Sequence, residues 1–76
     1  MSPVNQNPLL LGADIVMQSM TKYVGGHSDL IAGSLCVNDK QLYDQLCYTI
    51  KTMGTGIDGF NAWLAIRSCK TIALRV

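Results

Sequence analysis

The stretch LIAGSLCV, residues 30–37, carries no charge and a single hydroxyl. A short, almost wholly apolar run of this kind predicts a strand buried on both faces, which requires covering layers on each side of its sheet. A second run, DIVMQSM at 14–20, is a strand candidate of the same length class, with β-branched Ile15 and Val16. Alternation places Ile15, Met17 and Ser19 on one side of it and Val16, Gln18 and Met20 on the other. Helical patterns surround the two strands, so the chain reads as α/β.

The clearer helix is expected to open at Asn38, a good N-cap, with Gln41 three residues on in a capping box. Leu42, Leu46, Ile50 and Met53 then follow at helical spacing, and Gly54 stands where a helix usually ends. A last helix is expected to start near Asp58. Phe60, Trp63 and Leu64 share one of its faces, and Ala62, Ile66 and Ala73 are apolar elsewhere, the pattern of a helix buried between neighbours. Asn7-Pro8 predicts one helical turn, PLLL, stopped by Gly12.

Composition fits a buried piece better than a free-standing domain. The 76 residues are 49% apolar and 14% charged, with no glutamate, against a usual charged share of about 25%. A small domain has much surface for its volume and should be charge-rich. The six basic residues are scattered and the net charge is +1, which argues against a nucleic-acid or anionic-membrane footprint. No apolar run reaches the length of a membrane span. Cys36, Cys47 and Cys69 lack metal-ligand spacing, so no metal site is expected. Their odd number suits a reduced compartment, with two of them in apolar runs acting as small hydrophobes. The N-terminal stretch has no basic region and carries Asp14 in its apolar part, a poor signal peptide.

The stretch SMTKYVGGHSD, 19–29, holds the chemistry. The first strand delivers Ser19, Thr21 and Lys22 at its C-terminal end, where α/β sheets bind ligands. Two hydroxyls can donate to an anion, and Gly25-Gly26 lets backbone approach a ligand closely. A nucleophilic lysine needs burial or a nearby cation to lower its pKa. From spacing alone this is a weak anion or aldehyde site, with a surface lysine as the plainer reading.

The exact string is more specific. It resembles the lysine segment of the pyridoxal-phosphate-dependent Cys/Met metabolism (trans-sulfuration) enzymes, S-x-T-K-[YF]-x-x-G-H-[SH]-D. The resemblance extends over essentially the whole chain, through SPV…NPLLLGADIV before the lysine and HSDLIAGSLCV after it. GTGIDGFNAWLAIRSCKTIALRV is similar to the family's G-x-G…F-[DN]-x-W-L-x-x-R-G-x-K-T-[LI]-x-[LV]-R segment, with Ser68 in place of the usual glycine.

This resemblance implies pyridoxal 5′-phosphate as cofactor, bound through a Schiff base to Lys22, which then acts as the base at the substrate Cα. It implies that Ser19 and Thr21 bind the phosphate. His27 and Asp29 are expected to hold the loop, Arg67 and Lys70 to serve in structural ion pairing, and Phe60, Trp63 and Tyr23 to pack. The implied fold is α/β, a fragment of the large domain of the aspartate-aminotransferase-like, fold type I PLP-dependent transferases, with the two strands as antiparallel neighbours. Residues 1–76 are expected to be a partial PLP-binding large domain, from just before the lysine strand to the helix leading to the C-terminal domain.

MSPV and GADIVMQSMTKYVGGHSD look most similar to plant and fungal cystathionine β-lyases. That implies a carbon–sulfur lyase splitting cystathionine by β-elimination, in a homotetrameric, cytoplasmic parent without nucleic-acid or membrane partners. An organellar signal upstream of Met1 stays open. γ-Lyase, γ-synthase and methionine γ-lyase share nearly the same segment and stay open too. The family's ring-facing acid and ring-stacking tyrosine are expected upstream of Met1, and the arginine for the substrate carboxylate downstream. The chain alone is therefore expected to be an inactive piece, with association to a full-length homologue as the alternative.

Overall fold

Among the described residues, two strands lie side by side with only each other as partners. The computed structural model describes residues 2–76. Strand β1 (Val16–Ser19) and strand β2 (Gly33–Cys36) pair antiparallel, in the register Val16↔Cys36, Met17↔Leu35, Gln18↔Ser34 and Ser19↔Gly33. One further bond, Met20 N–H to the Ala32 carbonyl at 2.9 Å, closes the ladder at the end nearest the lysine. The antiparallel neighbours match expectation. Each strand is shorter than its apolar run, because pairing ends where the single partner ends. The predicted alternation holds on β1 up to its last residue: Val16, Gln18 and Met20 are half-buried and Ile15 and Met17 exposed, but Ser19, on the side of Ile15 and Met17, is half-buried as well.

Between the strands the chain does not form a simple glycine loop. Met20–Val24 winds into one π-helical turn, here termed the lysine turn. Helix α1 (Lys40–Met53) follows β2, then α2 (Gly59–Cys69) and a single turn, α3 (Ile72–Arg75). The N-cap of α1 is Asp39 rather than Asn38, its Oδ1 accepting the Gln41 N–H at 2.9 Å. A carboxylate is the stronger acceptor beside the positive end of a helix dipole. That shift puts Gln41 at the second helical position, one short of a capping-box partner. Gly54 ends α1 as expected, in the left-handed region at φ 72 with its N–H on the Ile50 carbonyl. Asp58 caps α2 through Asn61.

Residues 8–12 form turns, with Leu11 N–H on the Pro8 carbonyl at 3.0 Å. One hydrogen-bonded turn does not offset the nucleation cost of a helix. The last helix also stops sooner than its apolar pattern, at Cys69, and Ala73 belongs to α3.

The core is small: Val24, Leu30, Leu64 and Ala65, where α2 packs on the lysine turn. Phe60 and Trp63, expected in the core, are 67% and 57% exposed, their rings 6.2 Å apart on the open face of α2. Leu35 and Ile31, expected inside a doubly covered strand, are also exposed, as are all three cysteines. The reason is visible in the shape. The molecule measures 33 × 31 × 15 Å with a radius of gyration of 13.1 Å, against about 11 Å for a compact chain of this length. Its accessible surface is 5726 Å², against about 4,600 Å² for a monomer of this mass. A slab one helix layer thick has too little depth to cover both faces of its apolar elements. Among the described residues, no helix is long and apolar enough to cross a membrane.

Candidate functional site

Ser19 is the last residue of β1, and Thr21 and Lys22 lie in the lysine turn that follows directly. The strand end thus gathers all three predicted site residues on consecutive backbone. Lys22 departs from helical geometry (φ −81, ψ −106), a kink inside the turn. Lys22 is exposed and forms no ion pair among the described residues. It lines an open cavity of about 740 Å³ together with Tyr23, Gly26, Arg75 and Val76.

The two hydroxyls are half-buried. Thr21 Oγ1 accepts the Ala32 N–H at 3.2 Å, which orients the side chain and leaves its own O–H proton to donate elsewhere. The cavity that Lys22 borders is lined by neither Ser19 nor Thr21. As a donor set, two hydroxyls and a primary amine match a phosphate and an aldehyde, the two reactive ends of pyridoxal phosphate. The residues present fit that group.

The loop beyond the lysine is tied down as expected of His27 and Asp29. His27 Nδ1 lies 2.9 Å from the Gly25 carbonyl. Ser28 has φ 56, the single non-glycine in the left-handed region among the described residues. Asp29 accepts a hydrogen bond from Arg67 Nη2 at 2.5 Å, and the Arg67 guanidinium lies 5.7 Å from the Trp63 ring centre. Asn61 adds a third tie, its Oδ1 accepting the Ile31 N–H at 3.2 Å. Lys70 takes no part in ion pairing among the described residues, contrary to its expected role beside Arg67. Tyr23, expected to pack, is 54% exposed.

Sequence reasoning missed Arg75. Its guanidinium donates to the Tyr23 carbonyl (3.1 Å), the Val24 carbonyl (2.7 Å), the Ser68 carbonyl (2.8 Å) and Thr71 Oγ1 (3.0 Å). The sequence signal was the arginine closing KTIALR, where the pattern of the family it resembles also ends in arginine.

A strand end that carries an amine and two hydroxyls, with a helix packed behind it, belongs to an α/β fold. The family model for Cys/Met metabolism PLP-dependent enzymes matches residues 1–76, and the chain belongs to that family. It is 47% identical over 76 residues to the chloroplastic cystathionine β-lyase of Arabidopsis thaliana, covering all of this chain and 16% of that protein. It is 41% identical over 75 residues to a probable cystathionine γ-synthase of Herpetosiphon aurantiacus, covering 99% of this chain and 24% of that protein. The crystal structure of cystathionine γ-lyase from yeast superposes with a TM-score of 0.94 at 46% identity, over 97% of this chain and 19% of that one. The fold is therefore part of a fold type I PLP-dependent enzyme, and the family is PLP-dependent. The chain spans between about a sixth and a quarter of the length of these relatives.

Proposed function

We propose that this chain is the cofactor-lysine segment of a trans-sulfuration enzyme that cleaves cystathionine by β-elimination. The observation that carries the reading is the strand end, where Ser19 closes β1 and Thr21 and Lys22 stand on the braced turn that follows. Ser19 and Thr21 hold the phosphate by donating their hydroxyl protons. Lys22 holds the cofactor covalently at rest through Nζ, and once displaced by substrate its Nζ takes the Cα proton. Bound pyridoxal phosphate supplies the electron sink at that carbon. Overall, cystathionine and water yield homocysteine, pyruvate and ammonia.

The β assignment rests on the likeness of MSPV and GADIVMQSMTKYVGGHSD to plant and fungal β-lyases, since identity is the same, 47%, to the Arabidopsis β-lyase and to the yeast γ-lyase. The likeness to a γ-synthase and a γ-lyase keeps γ-elimination and γ-replacement as the competing chemistries. We place residues 1–76 in the PLP-binding large domain of a cytoplasmic, homotetrameric parent. Three donors on one turn do not orient an amino-acid substrate, and orientation is worth several kcal/mol. The chain alone is therefore expected to bind cofactor without sustained turnover. Its exposed apolar faces, including Phe60, Trp63, Ile66 and Leu35, favour a second reading, association with a full-length homologue.

The test mixes chain, pyridoxal phosphate and cystathionine and analyses the keto acids. Pyruvate in excess of 2-oxobutyrate, at no more than stoichiometric yield and absent with Lys22→Ala, is expected. Excess 2-oxobutyrate would reassign the chemistry to γ-elimination, and yields identical with and without Lys22 would remove the reading.

A further inference from the structure

The lysine turn has a capping problem that its own backbone does not solve. At its C-terminal end, Gly25 N–H bonds the Met20 carbonyl at 2.6 Å and Gly26 N–H bonds the Lys22 carbonyl at 2.7 Å. The next two carbonyls, of Tyr23 and Val24, have no backbone donor among the described residues. The last carbonyls of any helical turn are orphans, and Val24 is buried at 6% exposure, away from water. An unsatisfied buried carbonyl is costly. Both are instead met by one side chain from the other end of the sequence, Arg75, through Nη1 and Nη2.

Arg75 is itself held. Its Nε donates to Thr71 Oγ1 and its Nη2 also to the Ser68 carbonyl. The planar guanidinium thereby joins the lysine turn, the end of α2 and the start of α3. Gly26 makes room for it: a Cβ there would lie 2.0 Å from Arg75 Nη1, and φ is +77. Glycine is the residue that allows both the backbone angle and the close approach.

We propose that Arg75 is a positioning residue for Lys22, clamping the backbone carbonyls just after the lysine and so fixing the kinked turn from which its amine projects. Arg75 lines the same cavity as Lys22, which invites a role in binding substrate carboxylate. Its geometry argues otherwise. Four hydrogen bonds to protein acceptors already occupy most of its five N–H donors. A lysine in its place is a point charge that does not span two carbonyls and a hydroxyl, so charge alone is no substitute.

The inference rests on Lys22 being the cofactor lysine, and two readouts separate the failure of either. The first is amide hydrogen exchange of the native chain, Arg75→Ala and Arg75→Lys, without cofactor. The second is the share of borohydride-trapped pyridoxal phosphate found on Lys22 relative to Lys40, Lys51 and Lys70. Arg75→Ala is expected to speed exchange at Gly25 and Gly26 by about tenfold or more. The α1 amides should be unchanged, and the share of adduct on Lys22 should fall. Arg75→Lys is expected to behave like Arg75→Ala, and it decides the matter should Arg75→Ala lose protection throughout. Native-like exchange at Gly25 and Gly26 in Arg75→Ala, or full rescue of both readouts by Arg75→Lys, would overturn the proposal. A native chain that traps no cofactor on Lys22 would instead sink the functional reading, while exchange would still report on the clamp.

Discussion

Replacing Arg67 with alanine removes two interactions at once, and a mutant cycle separates them. The Asp29–Arg67 pair joins the loop after the lysine turn to α2 at 2.5 Å, with side chains 37% and 47% exposed. At that exposure the pair is screened, and such pairs contribute about 0.5 kcal/mol, at most about 1. The same guanidinium sits 5.7 Å from the Trp63 ring centre, worth about 0.5–1 kcal/mol at an exposed site. Arg67→Ala should therefore cost about 1–1.5 kcal/mol and Asp29→Asn about 0.5 kcal/mol, with a coupling near 0.5 kcal/mol in the double variant. Urea unfolding followed by far-ultraviolet circular dichroism measures each corner. In 1 M salt the Debye length is about 3 Å, so the coupling should shrink towards zero while the aromatic share of the Arg67→Ala loss remains. A coupling indistinguishable from zero at low salt would show that the pair does not anchor the loop. A coupling above about 2 kcal/mol, insensitive to salt, would show a desolvated pair and refute the surface reasoning.

Ser68 stands where the family usually has glycine, and its hydroxyl is buried without a partner. Ser68→Ala should therefore stabilise the chain by about 1 kcal/mol, read as a raised urea midpoint. Gly54 ends α1 at φ 72, and Gly54→Ala should destabilise by about 1 kcal/mol through strain alone, since open space surrounds the added Cβ. Asp58 is held below the ordinary carboxylate pKa, first by the hydrogen bond from the Asn61 side chain and then by the Asn61 backbone. A depressed carboxylate stabilises above its unfolded pKa and loses that contribution as pH falls through the folded value. Helicity should accordingly fall with acid below about pH 3.8, and less so in Asp58→Asn, in a circular-dichroism titration.

Local signals were the legible ones. The Gly54 stop and the Asp58 start depend on neighbours within a few residues, and each stands where the pattern put it, as does the alternation on β1 as far as Gln18. Asn38 failed as a cap because the adjacent Asp39 competes for the same N–H groups with a full charge. The misplaced core has a different cause. Apolar pattern at Phe60, Trp63 and Leu35 records which faces avoid water, but covering them takes a second layer, and this slab has one. Ser19, Thr21 and Lys22 were legible because they fall within four residues of sequence. The role of Arg75 was not, because the two lysine-turn carbonyls it reaches lie about fifty residues away and leave no trace in side-chain identity.

The most direct test of Lys22 as the cofactor lysine is to incubate the purified chain with pyridoxal phosphate, reduce with borohydride and map the adduct by peptide mass. A single stoichiometric adduct on Lys22, absent from Lys22→Ala, is the predicted result. Adducts spread evenly over Lys22, Lys40, Lys51 and Lys70 would show ordinary amine chemistry and contradict the account.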